Sequence, residues 1–363
     1  MMSENTFNES VTNATHVFSG LDLLFLLKPL FIPLYALLVT VACLGNSVLI
    51  LLIAFTKKLH NTTNFLIGNL AAADLVMCIF CVPLTASYAF EVRGWLFGKF
   101  MCHFVTLMQA ATVFVSVLSL TAIAVDRYVV VVYPIRRRID CKSCVYIVMV
   151  IWLVSIGVSM PTSIRTHYLD LKKIGHDMVV CEEFWTHHEK ERLLYSCTML
   201  LLSYMLPLSA VTISYCAIAF HLRKRNVPGA ASHNQDKWFK KKQKTFRMLI
   251  ISVMAFAICW LPLQVVNLIR DVDEDFTILD KYYINVIQVT CHLFAMSSAC
   301  YNPFIYASLH DKFRFHLRNY FYHKKRAGMM SSKNSRLNTC STLADVPVVL
   351  SDKITLQGRF SFN

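Results

Sequence analysis

Apolar residues gather in seven long stretches of this chain, at about 29–56, 63–90, 100–133, 144–165, 193–222, 245–270 and 282–308, interrupted only by isolated polar residues. A bilayer core about 30 Å thick needs roughly 20 apolar residues in a helix to cross it. Each stretch reaches that length, and no further window does. Backbone inside lipid has to satisfy its own hydrogen bonds, so spanning stretches of this kind become helices. The pattern predicts an all-α membrane protein, a bundle of seven transmembrane helices.

The polar segments divide the rest. Residues 1–28, rich in Asn, Ser and Thr, read as a disordered tail, and 323–363 as a second tail, leaving 29–322 as one membrane domain. Between the fifth and sixth spans come Arg223, Lys224 and Arg225, then Pro228-Gly229, then Lys237, Lys240, Lys241, Lys242 and Lys244. Pro-Gly marks a loop, and its basic flanks are expected to carry both helices into the cytosol. In 310–322, Phe313, Leu317 and Tyr320 recur at helical spacing among basic residues, which predicts a short amphipathic eighth helix against the lipid of the inner leaflet.

Composition agrees with the pattern. Apolar residues make up 56% and charged residues 16%, against about a quarter charged in a soluble domain, so a soluble core is excluded. The net charge of +14 is divided unevenly. With the N-terminus outside, that face holds 10 of the 36 Lys+Arg and 15 of the 22 Asp+Glu. Basic residues near helix ends stay cytoplasmic, so the N-terminus is extracellular. The inner positive charge abuts helix ends, where anionic lipid attracts it, and does not indicate nucleic acid. The acidic outer face favours a cationic ligand. No apolar run with a cleavage site precedes the first span, so that span itself is expected to be the targeting signal. Sequons at Asn8 and Asn13 suit a glycosylated outer tail, whereas a third at Asn61 falls on the cytosolic side.

Polar and ionisable groups within spans are costly and therefore functional candidates. Asn46, Asp74, Asp126, Arg127 and Asn302 qualify. By themselves they suit an ion or proton transporter, an intramembrane protease with paired aspartates, or a receptor. There is no internal repeat of the kind many transporters show.

Their order along the chain is more specific. Gly45-Asn46 lies in the first span, Leu70-Ala71-Ala72-Ala73-Asp74 in the second, Asp126-Arg127-Tyr128 at the end of the third and Trp152 in the fourth. Pro207 and Tyr215 follow in the fifth, Cys259-Trp260-Leu261-Pro262 in the sixth, and Asn302-Pro303-Phe304-Ile305-Tyr306 in the seventh. This series resembles rhodopsin-like (class A) G-protein-coupled receptors across the membrane domain. The resemblance implies a multi-pass plasma-membrane receptor without enzymatic activity that activates heterotrimeric G proteins.

It also implies roles. Arg127 would pair with Asp126 at rest, beside Tyr128. Phe256 and Trp260 would form a packing switch beneath the ligand, although core packing alone also places aromatics four apart. Pro207 and Pro262 would kink their helices, and Tyr215 and Tyr306 would turn toward Arg127 on activation. Asp74, Ser116, Ser298 and Asn302 match the family's allosteric sodium site, the one cofactor expected. Cys102 and Cys181 match its disulfide. Ser331, Ser332, Ser335, Thr339, Ser341 and Thr342 are candidates to receive receptor kinases and recruit arrestin, a solvated Ser-rich tail being the alternative.

Ligand class is narrowed by exclusion. Met296 replaces the lysine that holds retinal in opsins, and Gln109 replaces the aspartate that pairs with amines. The run Cys181-Glu182-Glu183-Phe184-Trp185 and the acidic start of the third outer loop (Asp271, Asp273, Glu274, Asp275) suit a cationic peptide with an aromatic end. Acidic loops can equally be solvated surface. The segments 59–70, 126–138 and 295–306 resemble the neuropeptide Y/RFamide branch, and receptors of the prolactin-releasing peptide type most of all. That resemblance implies a C-terminally amidated Arg-Phe peptide, with Glu183 and Asp271 reading the arginine, Gln109 the terminal amide, and Trp185 and Glu182 beside them. A receptor for another peptide, such as a neuropeptide Y relative, is the alternative.

Overall fold

A computed structural model describes residues 21–133, 141–174, 177–185, 189–225, 233–272, 278, 280, 282–309 and 315. The chain divides into Met1–Arg314 and Phe315–Asn363, and all elements named here belong to the first unit. Asn8 and Asn13, the amphipathic segment 310–322 apart from Phe315, and the tail 323–363 lie outside the described residues.

The order is α1 (Leu21–Leu26), α2 (Lys28–Phe55), α3 (Thr62–Val76), a π turn (Met77–Cys81), α4 (Val82–Ala89), α5 (Gly98–Val132) and α6 (Cys141–Arg165). A hairpin of β1 (Thr166–Asp170) and β2 (Val179–Glu183) comes next, then α7 (Glu189–Arg225), α8 (His233–Val272), α9 (Ile284–Met296) and α10 (Ser298–Leu309). Six described helical runs are long and apolar enough to cross a membrane. They are α2, α3 with α4, α5, α6, α7 and α8. The seventh crossing is shared by α9 and α10, of 13 and 12 residues. At 40 residues, or about 60 Å at 1.5 Å per residue, α8 outruns any bilayer, as the basic flank predicts. Within the segment 1–28, expected to be disordered, Leu21–Leu26 is helical and Leu24 is buried.

Local chemistry explains the irregularities. Asn61 caps α3 by accepting from the Asn64 backbone N–H at 3.0 Å, so its sequon side chain has a structural task. Pro83 has no N–H for the Ile79 carbonyl, and the second span changes pitch there through the π turn. In the seventh span, Pro303 likewise frees the Ala299 carbonyl. Asn46 of the first span supplies the missing donor, its Nδ2 reaching Ala299 O at 3.0 Å and Ala42 O at 2.9 Å. The helices touch so closely that a Cβ on Gly45 would meet Pro303 Cγ at 2.9 Å.

The third span is central, packing against the second, fourth, fifth and sixth. Polar bonds fix the rotations: Trp152 Nε1 donates to Asn69 Oδ1 at 2.9 Å, and Asn69 Nδ2 donates to Ser119 Oγ at 2.9 Å. Tyr204 of the fifth span donates to Ala257 O of the sixth at 3.1 Å. Interhelical bonds in lipid contribute about 0.6 kcal/mol each, so they specify orientation more than they stabilise.

At the outer end, β1 and β2 pair antiparallel with Tyr168 opposite Cys181 and His167 opposite Glu182. A Cys102–Cys181 disulfide ties the hairpin to the top of α5. The turn before α5 docks on it too: Trp95 N–H donates to Val179 O at 2.8 Å and Val179 N–H to Arg93 O at 3.0 Å. Between them Gly94 has φ +72°, and a Cβ there would lie 2.1 Å from Val179 O. Only glycine fits that crossing.

Candidate functional site

A cavity of about 790 Å³ opens among the outer halves of the helices beneath the hairpin. Gln109, Glu182, Glu183, Trp185 and Asp271, the five residues expected to meet a ligand, all line it, with Trp260 among the walls. Gln109 stands seven residues, or about 10 Å of helix, below Cys102. Asp271 stands eleven residues, or about 16 Å, above Trp260 along α8. The site therefore has an acidic rim and a polar depth.

At the depth, four spans meet through one chain of hydrogen bonds. Thr85 Oγ1 donates to Gln109 Oε1 at 3.2 Å, and Gln109 Nε2 faces His292 Nε2 at 3.2 Å. An amide nitrogen can only donate, so His292 Nε2 accepts and its proton sits on Nδ1. That Nδ1–H donates to Tyr35 Oη at 2.9 Å, and Tyr35 donates to the Val289 carbonyl at 3.2 Å. All four bonds run in one direction, which defines the tautomer.

The rim differs from what its sequence suggests. The expectation gives Asp271, with Glu183, to a ligand's arginine; in the structure it already has partners. Arg192 of α7 binds its Oδ1 at 2.6 Å, and Ser196 Oγ donates to its Oδ2 at 2.5 Å. Glu182 accepts from Tyr88 at 3.1 Å, and Glu183 accepts from the Trp185 indole. Burial pushes both glutamates above the ordinary carboxylate range. The charge of Arg270 pulls Glu182 back, while the Trp185 bond and then Arg192 pull back Glu183. The Trp185 ring is buried, with the Arg165 guanidinium 5.0 Å over its centroid and Tyr195 at 5.6 Å. Trp185 thus walls the pocket, and its cation–π partner comes from its own chain.

Beneath the cavity lie the residues expected to transmit a signal. Phe256 and Trp260 are in contact, centroids 5.9 Å apart, and Trp260 Nε1 donates to Ser298 Oγ at 3.1 Å. Asn302 Nδ2 donates to Asp74 Oδ2 at 2.8 Å, and Ser116 is buried on α5. Of the residues expected to hold sodium, only Asn302 is seen bonded to Asp74, while Ser298 accepts from Trp260; a carboxylate with hydroxyl and amide oxygens would suit a hard cation. Pro262 sits inside α8 and leaves the Ile258 carbonyl without its helical donor.

At the end of the bundle away from the cavity, Arg127 Nη2 pairs with Asp126 Oδ2 at 2.5 Å, and Thr63 joins both, donating to Asp126 Oδ2 at 2.7 Å and accepting from Arg127. Thr63 was not singled out from sequence. Tyr128 packs edge-on to Tyr133, with centroids 6.3 Å apart. Tyr306 is buried against Ser252 of the sixth span. The Tyr215 side chain lies outside the description.

Sequence reasoning also missed Tyr35, Thr85, Arg192, Arg270 and His292. For His292 a signal existed, since an ionisable ring inside an apolar span is a candidate by default. The others are ordinary residue types at span ends and faces, and only their neighbours distinguish them.

Seven crossings, with a cavity at one end and an arginine–aspartate pair at the other, describe a multi-pass membrane protein of the kind receptors are built on. Residues 45–306 match the 7 transmembrane receptor (rhodopsin family). The chain belongs to that family, which is one of receptors and not of enzymes. It is similar to the neuropeptide Y receptor type 2 of Homo sapiens, 33% identical over 283 residues covering 77% of this chain and 73% of that one. It is similar to the RYamide receptor of Drosophila melanogaster, 30% identical over 289 residues, with 78% of this chain and 61% of that receptor covered. The neuropeptide FF receptor 2 of Mus musculus is 29% identical over 387 residues, 96% of this chain and 91% of that one.

Proposed function

We propose that this protein is a plasma-membrane receptor, with its N-terminus outside, for a C-terminally amidated Arg-Phe peptide of the prolactin-releasing type. The observation that carries the reading is the polarity of the cavity: an acidic rim at Asp271, Glu182 and Glu183, and a neutral amide chain at Gln109 and His292 below it. A peptide entering C-terminus first brings its terminal amide to Gln109, its aromatic ring between the spans, and its arginine to the rim. The relatives named for RYamide, neuropeptide Y and neuropeptide FF support the peptide class.

Binding favours the arrangement in which the sixth span swings at Pro262 and Arg127 leaves Asp126 to meet a heterotrimeric G protein, Gq first and Gi second. Receptor kinases and arrestin act afterwards on the tail, and sodium at Asp74 favours the resting arrangement.

Calcium release in cells expressing the chain tests this. A prolactin-releasing peptide should act potently as the amide and weakly as the free acid, and Glu183→Ala and Asp271→Ala should each reduce potency at equal surface expression. Silence toward that peptide alongside a response to neuropeptide Y would move the assignment to the neuropeptide Y branch.

A further inference from the structure

The acidic rim is not vacant. Asp271 is almost buried, its side chain 6% exposed, while the Arg192 side chain that holds it is 37% exposed. Both Asp271 oxygens are engaged, one by Arg192 and the other by Ser196. Arg192 lies against an Asp271 side chain that is otherwise almost buried, so a ligand guanidinium forming a two-pronged pair with that carboxylate takes the place Arg192 now holds. Ser196 is a short side chain within a helical turn of α7, whereas Arg192 is long, stands one turn nearer the outer end and borders solvent. Arg192 is the group able to go.

We propose that Arg192 is a built-in competitor, occupying on Asp271 the place taken by the arginine of an agonist peptide. The inference rests on the reading of Asp271 as the arginine subsite. Exchange of one guanidinium for another keeps the buried carboxylate paired throughout, so no isolated charge is stranded. A ligand with a neutral group at that position offers nothing in exchange, since displacing Arg192 would leave the buried Asp271 with Ser196 but no counter-charge. A lysine offers a point charge without the planar fork. Arg192 thus lowers affinity for every ligand that needs Asp271 and sharpens the preference for arginine. Once released, it remains beside Glu183, whose charge it already influences, so the displaced cation keeps a nearby counter-charge.

The test is competition binding on membranes bearing the full-length receptor. Two synthetic heptapeptides are compared, one ending in Arg-Phe-amide and one with citrulline, the uncharged isostere, replacing that arginine. Arg192→Gln should raise affinity for the arginine peptide roughly three- to tenfold while leaving the citrulline peptide within about twofold. Arg192→Lys, which keeps the charge but loses the fork, should give a smaller gain and serves if the glutamine variant fails to reach the surface. Unchanged or weaker binding of the arginine peptide in both variants would overturn the proposal and make Arg192 a support for Asp271. Equal binding of the two peptides by the wild-type receptor would instead remove Asp271 as the arginine subsite, and this inference with it.

Discussion

Gln109→Leu is a perturbation whose size can be worked from the structure. The side chain keeps nearly the same volume but loses the amide that links Thr85 and His292, each at 3.2 Å. In the free receptor the cavity admits water, which can serve both stranded partners, so the fold should lose little. Once a peptide amide fills the depth, water is excluded and the replacement bonds disappear. Two neutral hydrogen bonds at about 1 kcal/mol each give about 2 kcal/mol, or roughly a 30-fold loss of affinity for the amidated peptide. The free-acid peptide is already weak, because its carboxylate has to be desolvated whatever stands at position 109. The variant should therefore bind the two forms with much closer affinities, as measured by competition on membranes matched for surface expression. An amide-over-acid ratio equal to that of the wild type would refute the role given to Gln109.

Glu182 and Glu183 are held above the usual carboxylate range by burial, and pairing with a cationic peptide requires them ionised. Affinity should be full above their raised values and fall as pH drops through them, starting at a higher pH than for an ordinary carboxylate, and the fall should shrink in Glu182→Gln/Glu183→Gln when binding is titrated between about pH 8 and pH 5. Asn46→Ala leaves the Ala299 carbonyl, already deprived of its helical donor by Pro303, without a partner. The expected loss of about 1–3 kcal/mol should appear as a lower Tm in detergent. Sodium should weaken agonist binding by the wild type, and Asp74→Asn should abolish that sensitivity; equal sodium dependence in both would remove Asp74 as the ion's ligand.

Much of the architecture was legible because the bilayer imposes one length on every crossing. The apolar pattern of residues 29–56 through 282–308 predicts the crossings, but it hides the π turn at Met77–Cys81 in the second, the break at Ser297 in the seventh and the extension of α8 back to His233. Residue types inside the spans led to Asp74, Arg127 and Asn302 through the cost of polar groups in lipid. Resemblance added Cys102 with Cys181 and the five cavity residues. The helix at Leu21–Leu26 was not legible, because a stretch so short gains its helical form from packing beside α9 and from burial of Leu24 rather than from its own propensity.

The charge state of the rim belongs to the tertiary structure alone. Asp271 reads as an open acid in the sequence because Arg192 is 79 positions earlier, on another span. Gln109 and His292 lie 183 residues apart, and Tyr35 and His292 lie 257 apart. Sequence determines which residues must be in lipid and which types are too costly to be there without purpose. Which of them meet depends on the rotation and approach of whole helices, set by contacts such as Gly45 against Pro303 and Trp152 with Asn69. A hydrogen bond or ion pair is lost within about an ångström of misplacement, whereas the apolar pattern that drives insertion tolerates any rotation that keeps oily side chains out of water.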